Sequence, residues 1–249
     1  MSHGSGSLTI AACRAGPRTI LERVRFDGIS RCSRAFADGD AARVMLSQLG
    51  PGVVRGDRIT TGGVVRAGAH LIVTNQAATR LMGGGRQARA EAAWSIEAGA
   101  LLELIGEPLV ALADSRYDAS TVIDLGPGAV VLTTEIACVP AGANVRLRTS
   151  IRRRGRELFY DALEPAAAAP YTVGTFALAG LAEEHVVPLV AALDHAADAA
   201  AGARLGVGAL QSGVVVRMLA TDIWTVRSIL QALRTAARTA LLPAKRCAS

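Results

Sequence analysis

A Gly-Ala pair sits at a turn and launches an apolar strand at Gly68, Gly99, Gly128 and Gly142, so the successive intervals are 31, 29 and 14 residues. Glycine permits the positive φ of such a turn, and the small alanine lets the next strand begin close by. Two near-equal steps describe stacked units. They predict a mainly β fold: an elongated, two-layered, multi-stranded sheet of stacked hairpins resembling a β-superhelix. Coincidence of a common dipeptide is the competing explanation. Further Gly and Pro signals at Gly16-Pro17, Gly50-Pro51-Gly52, Gly62-Gly63, Gly83-Gly84-Gly85 and Gly126-Pro127-Gly128 bound short apolar runs. Runs of this length between such breakers read as strands rather than helices.

The tail changes period. Apolar residues recur every three or four positions from Glu183 to about Ala201 and from Asp222 to about Leu241, which predicts two C-terminal α-helices. In the second, Ile223, Val226, Leu230, Leu233, Ala237 and Leu241 form one stripe, with Arg227, Gln231, Arg234 and Arg238 opposite. Thr221 is the expected cap, and Val214 to Leu219 reads as a buried strand between the helices. The expected organisation is a single domain over 1–249, with a β-rich body over 8–180 and a helix–strand–helix appendage over 181–243.

Composition narrows the function. Of 249 residues, 51% are hydrophobic but only 4% aromatic, so the core must be Ala, Val and Leu packing without large anchors. Mean hydropathy is +0.32, yet no uncharged apolar run is long enough for a spanning helix. A soluble protein with a greasy, partner-seeking surface is expected. The net charge of +6 suits nucleic acid in principle, but three Tyr, four Phe and two Trp are few, and no nucleic-acid-binding motif is present. The run Arg146, Arg148, Arg152, Arg153, Arg154, Arg156 reads as a solvated strand edge or as a docking surface for an acidic partner. Cys13, Cys32, Cys138 and Cys247 lack paired spacing and read as reduced thiols of a cytoplasmic protein. His3, His70, His185 and His195 are too scattered for a ligand set, and no nucleophile elbow or zincin pattern occurs, which argues against an enzyme.

Residues 50–80 carry the most specific pattern. Gly52-Val53-Val54-Arg55-Gly56-Asp57-Arg58 forms a turn, Gly68 a second, and Thr74-Asn75-Gln76 closes the strand that follows. Asp57 is either a hard oxygen ligand presented at a strand end or an Asx turn bonded to its own backbone. In VVLTTEIAC, Glu135 shares a strand face with Thr133. A carboxylate there is buried with a partner, lines a wet channel, or lies exposed on an edge.

These segments resemble the hallmark of the urease accessory protein UreD (UreH) family. There a Gly-Leu-Val-Gly-Gly-Asp-Arg-like turn precedes a Gly-Ala turn and a Thr-Thr-Gln-Ala-Ala-Thr-like strand end. Gly52, Gly56, Arg58 and Gly68 are the matching turn residues, Glu135 falls where the family has a Glu, and Arg156 to Asp161 is similar to a later Gly-Arg-x-x-x-x-Asp stretch. Arg55 and Asn75 depart from the pattern. The resemblance implies a non-catalytic scaffold that joins UreF-type and UreG-type accessory proteins, the latter a GTPase, to apo-urease subunits during nickel insertion. It implies no tightly bound cofactor, only nickel in transit, and no nucleic-acid or membrane partner. Carried over by position, Asp57 and Glu135 are the first candidates for a nickel passage, with Thr74, Gln76 and Asp161 weaker. A carbohydrate-acting β enzyme using Asp57 and Glu135 as paired carboxylates, or a basic nucleic-acid-binding β protein, are the alternatives.

Overall fold

The computed structural model describes residues 4–164, 171–198 and 202–246. The repeat at the Gly-Ala turns is the organising unit. Strands β1 (Ser5–Ala15) and β2 (Arg18–Gly28) open the chain, followed by the short β3 (Ser30–Cys32) and β4 (Phe36–Asp38). From β5 (Ala41–Gln48) onward the chain alternates between two layers. One layer receives β6 (Arg58–Val65), β9 (Ala88–Ile96), β12 (Arg116–Leu125) and β14 (Asn144–Arg153). The other receives β5, β7 (His70–Asn75), β10 (Leu101–Ile105) and β13 (Val130–Val139), with the short β8 (Thr79–Leu81) and β11 (Leu109–Ala111) beside them.

Neighbours within each set pair in parallel. Arg58 is in register with Arg89, Leu101 with His70, and Leu101 also with Val130. The Gly-Ala turns therefore stack on one another: Gly68 N–H donates to the Ala98 carbonyl at 3.0 Å, and Gly99 N–H to that of Pro127 at 2.9 Å. Gly68, Gly99 and Gly128 hold nearly the same left-handed φ, 66°, 63° and 61°, which is why glycine recurs there. The expected two-layered, stacked β body forms. Its stacking unit is one turn of a parallel coil, and antiparallel hairpins close the ends: β1 with β2, β14 with β15 (Arg156–Leu163), and β17 (Ala203–Leu210) with β18 (Gly213–Ala220).

The result is a 7-stranded sheet ordered β15-β14-β12-β9-β6-β1-β2 and an 11-stranded sheet that includes β17-β18-β16-β13-β10-β7-β5-β3, β16 being Tyr171–Ala179. Helices α1 (Glu183–Asp198) and α2 (Ile223–Arg246) cover the outer face of the 11-stranded sheet, burying Leu189, Leu193, Val226 and Leu233 against Phe176, Val216 and Met218. Gly174 makes this close approach possible, because a Cβ there would stand 2.5 Å from Val226 Cγ1. Between the helices lies a hairpin, β17 and β18, rather than one strand, and β18 joins the large sheet through β16.

Two details of α2 differ from expectation. Asp222, not Thr221, caps it, its carboxylate accepting from Thr225 N–H at 2.9 Å and from Thr225 Oγ1 at 2.7 Å. The arginines of the opposite stripe are ion-paired with carboxylates beneath the helix, although Arg227 stays largely exposed. Arg234 Nε donates to Glu103 Oε2 at 2.7 Å, Arg227 pairs with Glu107, and Arg238 lies 3.7 Å from Glu103. Likewise β14 is flanked on both sides, so its arginines are not an edge. Arg148 is held by Asp118 and Arg146 by Glu164. Cys13, Cys32 and Cys138 are free thiols, and Cys247 and His3 lie outside the described residues. No helix among the described residues is long and apolar enough to cross a membrane.

Candidate functional site: a polar seam between the sheets

The space between the sheets holds two apolar clusters rather than one. The first contains Ile10, Val65, Ile96, Ile123 and Ile151 facing Leu71, Leu102 and Val131; the second contains Ile59, Tyr117, Val145 and Leu147 facing Leu81, Ala137 and Val139. Strand periodicity shows what separates them. Inward positions read Tyr117, Ala119, Thr121, Ile123 on β12, and Val145, Leu147, Thr149, Ile151 on β14. On β13 they read Val131, Thr133, Glu135, Ala137. Each strand thus crosses from one cluster to the other through a polar position.

Register aligns these positions into two facing rows. In the 7-stranded sheet, Thr61 pairs with Ala92, Ala92 with Thr121, Thr121 with Thr149, and Thr149 with Asp161. In the other sheet Glu135 pairs with Thr175, and Thr175 with Arg217. Between the rows lies a cavity of about 220 Å³, lined among others by Thr61, Asn75, Thr121, Thr149, Glu135 and Asp161. A polar space of this size holds water, as the hydroxyls and carboxylates require.

Glu135 is the group most affected by this setting. Its carboxyl is raised from 4.5 to about 7: burial contributes most, the nearby Asp161 charge adds to it, and Arg217 opposes both. Asp161 on β15 is ion-paired with Arg217 on β18, a bridge that crosses from one sheet to the other.

Thr74 and Gln76, at the end of β7, line a separate cleft of about 390 Å³ beneath α2, with Arg43, Glu107, Gln231 and Arg234 among its other walls. Asn75, Ile105, Gly106 and Thr134 border both spaces, so the two abut where β7 and β10 end.

Asp57 is placed elsewhere. It is 2% exposed, and its carboxylate accepts from Gly4 N–H at 2.8 Å and Val54 N–H at 2.9 Å, tying the N-terminal segment to the motif turn. It lines neither space, and it shares no cavity with Glu135. Asp57 and Glu135 are therefore not the carboxylate pair that the sugar-cleaving alternative would use. The glycines around it are backbone devices: Gly56 sits at φ 79°, and at Gly52 a Cβ would stand 2.5 Å from the Arg80 carbonyl oxygen. Arg58 is exposed at the start of β6.

Glu103 carries no local signal in the sequence. It is 1% exposed, under α2 on the outer face of the large sheet, with His70 Nε2 at 2.8 Å and Arg234 at 2.7 Å. Burial works against its charge, but the His70 hydrogen bond and the Arg234, His70 and Arg238 charges prevail and lower its pKa. Among the described residues no three His, Cys, Asp or Glu side chains gather as a metal cluster.

The profile of the family described as UreD urease accessory protein matches residues 4–249. The chain belongs to the UreD family. It is 28% identical over 248 residues to the urease accessory protein UreD of Cereibacter sphaeroides, covering 91% of this chain and 88% of that one. It is 31% identical over 225 residues to that of Haloarcula marismortui, covering 82% and 75%. A match of 28% identity to the UreD of Sorangium cellulosum covers 70% of this chain and 58% of the relative. A UreD protein is by its name an accessory protein of urease.

Proposed function

We propose that this chain is a non-catalytic maturation scaffold that joins UreF-type and UreG-type accessory proteins to apo-urease, and that nickel on its way to urease passes through the polar seam. The observation that supports the passage is the pair of facing rows. Glu135, Asp161, Thr121, Thr149 and Asn75 line one space of about 220 Å³ between two apolar clusters. Hard oxygen donors without a thiolate or imidazole among them hold Ni²⁺ weakly, and a cargo ion must leave as readily as it arrives. Thr74 and Gln76 in the adjoining cleft extend the polar lining toward the surface. Asp57 has no place on this route, because both of its oxygens serve backbone donors.

The test is co-production of Glu135→Gln with urease and the F-type and G-type proteins. The expected result is a complex that assembles normally and urease that carries less nickel. Full nickel loading beside an intact complex would remove the passage while leaving the scaffold.

A further inference from the structure

The Asp161–Arg217 pair stands at one end of the seam. Asp161 lines the inner cavity, whereas Arg217 lines an outer cleft, in the company of Glu164, Arg204, Leu219 and Thr221. Arg217, Thr175 and Glu135 are consecutive partners across the large sheet, so the guanidinium shares the inward face with Glu135. Its side chain is 35% exposed, while that of Asp161 is 16% exposed, which places the arginine on the outer side of the bridge. Two physical consequences follow. The guanidinium occupies the Asp161 carboxylate, leaving Glu135 as the seam's remaining free acid, and it sets a fixed positive charge where a divalent cation would have to pass.

An alternative partner is close by. Glu164 lies three positions beyond Asp161, lines the same outer cleft as Arg217, and among the described residues is paired with Arg146 across a largely exposed contact, with side-chain exposures of 46% and 55%. Exposed pairs of this kind are weak and exchange easily.

We infer that Arg217 is a charge gate at this mouth of the seam: paired with Asp161 it closes the cavity to cations, and swung outward toward Glu164 it opens Asp161 and Glu135 together as an all-oxygen seat for a divalent cation. This rests on the passage proposed above and adds to it the group that controls occupancy. An arginine suits the role because its guanidinium keeps its charge and can exchange one carboxylate partner for another.

The test is competition for Ni²⁺ between a chromophoric chelator and the purified full chain, using wild type, Glu135→Gln, Arg217→Gln, Arg217→Lys and the double variant Arg217→Gln/Glu135→Gln. Removing one positive charge beside two carboxylates is expected to tighten Ni²⁺ binding at least about tenfold. Glu135→Gln should abolish that gain, and Arg217→Lys should stay near wild type. If Arg217→Gln loses the native circular dichroism spectrum, Arg217→Met, which keeps the apolar stem, takes its place. Arg217→Gln binding Ni²⁺ no better than wild type, or a gain that survives Glu135→Gln, overturns the gate. Weakened binding in Glu135→Gln alone with no effect at Arg217 refutes the gate but keeps the seat. Indifference of every variant removes the seat as well.

Discussion

Glu135 should make the protein less stable than it could be, by an amount that depends on pH. Its carboxyl is ordinary at 4.5 when unfolded and about 7 when folded, raised first by burial and then by Asp161. The native state therefore binds the proton more tightly, and stability is gained as pH falls from 7 toward 4.5 and lost as it rises. A difference of about 2.5 units at about 1.4 kcal/mol each amounts to roughly 3 kcal/mol above pH 7. Glu135→Gln keeps the shape and removes the charge. It should stabilise the protein by about 3 kcal/mol at pH 8, which is roughly 6–12 °C for a chain of this size, and by less than about 1 kcal/mol at pH 5. Urea unfolding of both proteins at pH 5, 6, 7 and 8 reads this directly. A variant no more stable than wild type at pH 8, or a gain that does not vary with pH, would refute the reasoning.

Two other acids should behave oppositely. Asp57→Ala removes a buried carboxylate that satisfies Gly4 and Val54, and should destabilise by about 3 kcal/mol in thermal or urea unfolding, whatever the nickel present. Glu103 has a lowered pKa when folded, so its contribution is present above 4.5 and is lost as pH falls through the folded value. Glu103→Gln should cost about 3 kcal/mol at pH 7, by leaving Arg234 under-partnered, and should flatten the loss of stability expected of wild type as pH falls below about 4.5. Equal acid sensitivity in the two proteins would show that α2 is not fastened by this carboxylate.

Much of the body was legible because its repeat is local. A left-handed turn followed by a strand is written in a dipeptide, and three such turns at matching φ reveal the coil length. That the units pair in parallel was not legible, since a Gly-Ala turn looks the same whether it returns the chain to its own sheet or sends it to the other. Glu135 was found by alternation with Thr133 within one strand. Thr61, Thr121, Thr149 and Thr175 were not found, because their meeting depends on register between strands roughly thirty residues apart. For Thr121, Thr149 and Thr175 the signal was present as a threonine flanked two residues away on both sides by apolar side chains, and for Thr61 by Ile59 on one side and Gly63 on the other. Asp57 and Glu135 looked alike as acids in matched motifs, and only the Gly4 and Val54 amides, one of them 53 residues away, distinguish a turn from a lining group. Glu103 sits in an apolar strand whose partner Arg234 is 131 residues on, beyond any local pattern.

The central claim is that a cation crosses the space between the sheets, so filling that space without touching the surface tests it most directly. Thr121→Leu projects into the cavity from β12 and replaces a hydroxyl with bulk. Nickel per urease active site should fall when this variant replaces wild type in cells, while pull-down of urease and the F-type and G-type proteins stays at the wild-type level. Full nickel occupancy of urease matured by a folded, plugged protein would contradict the account.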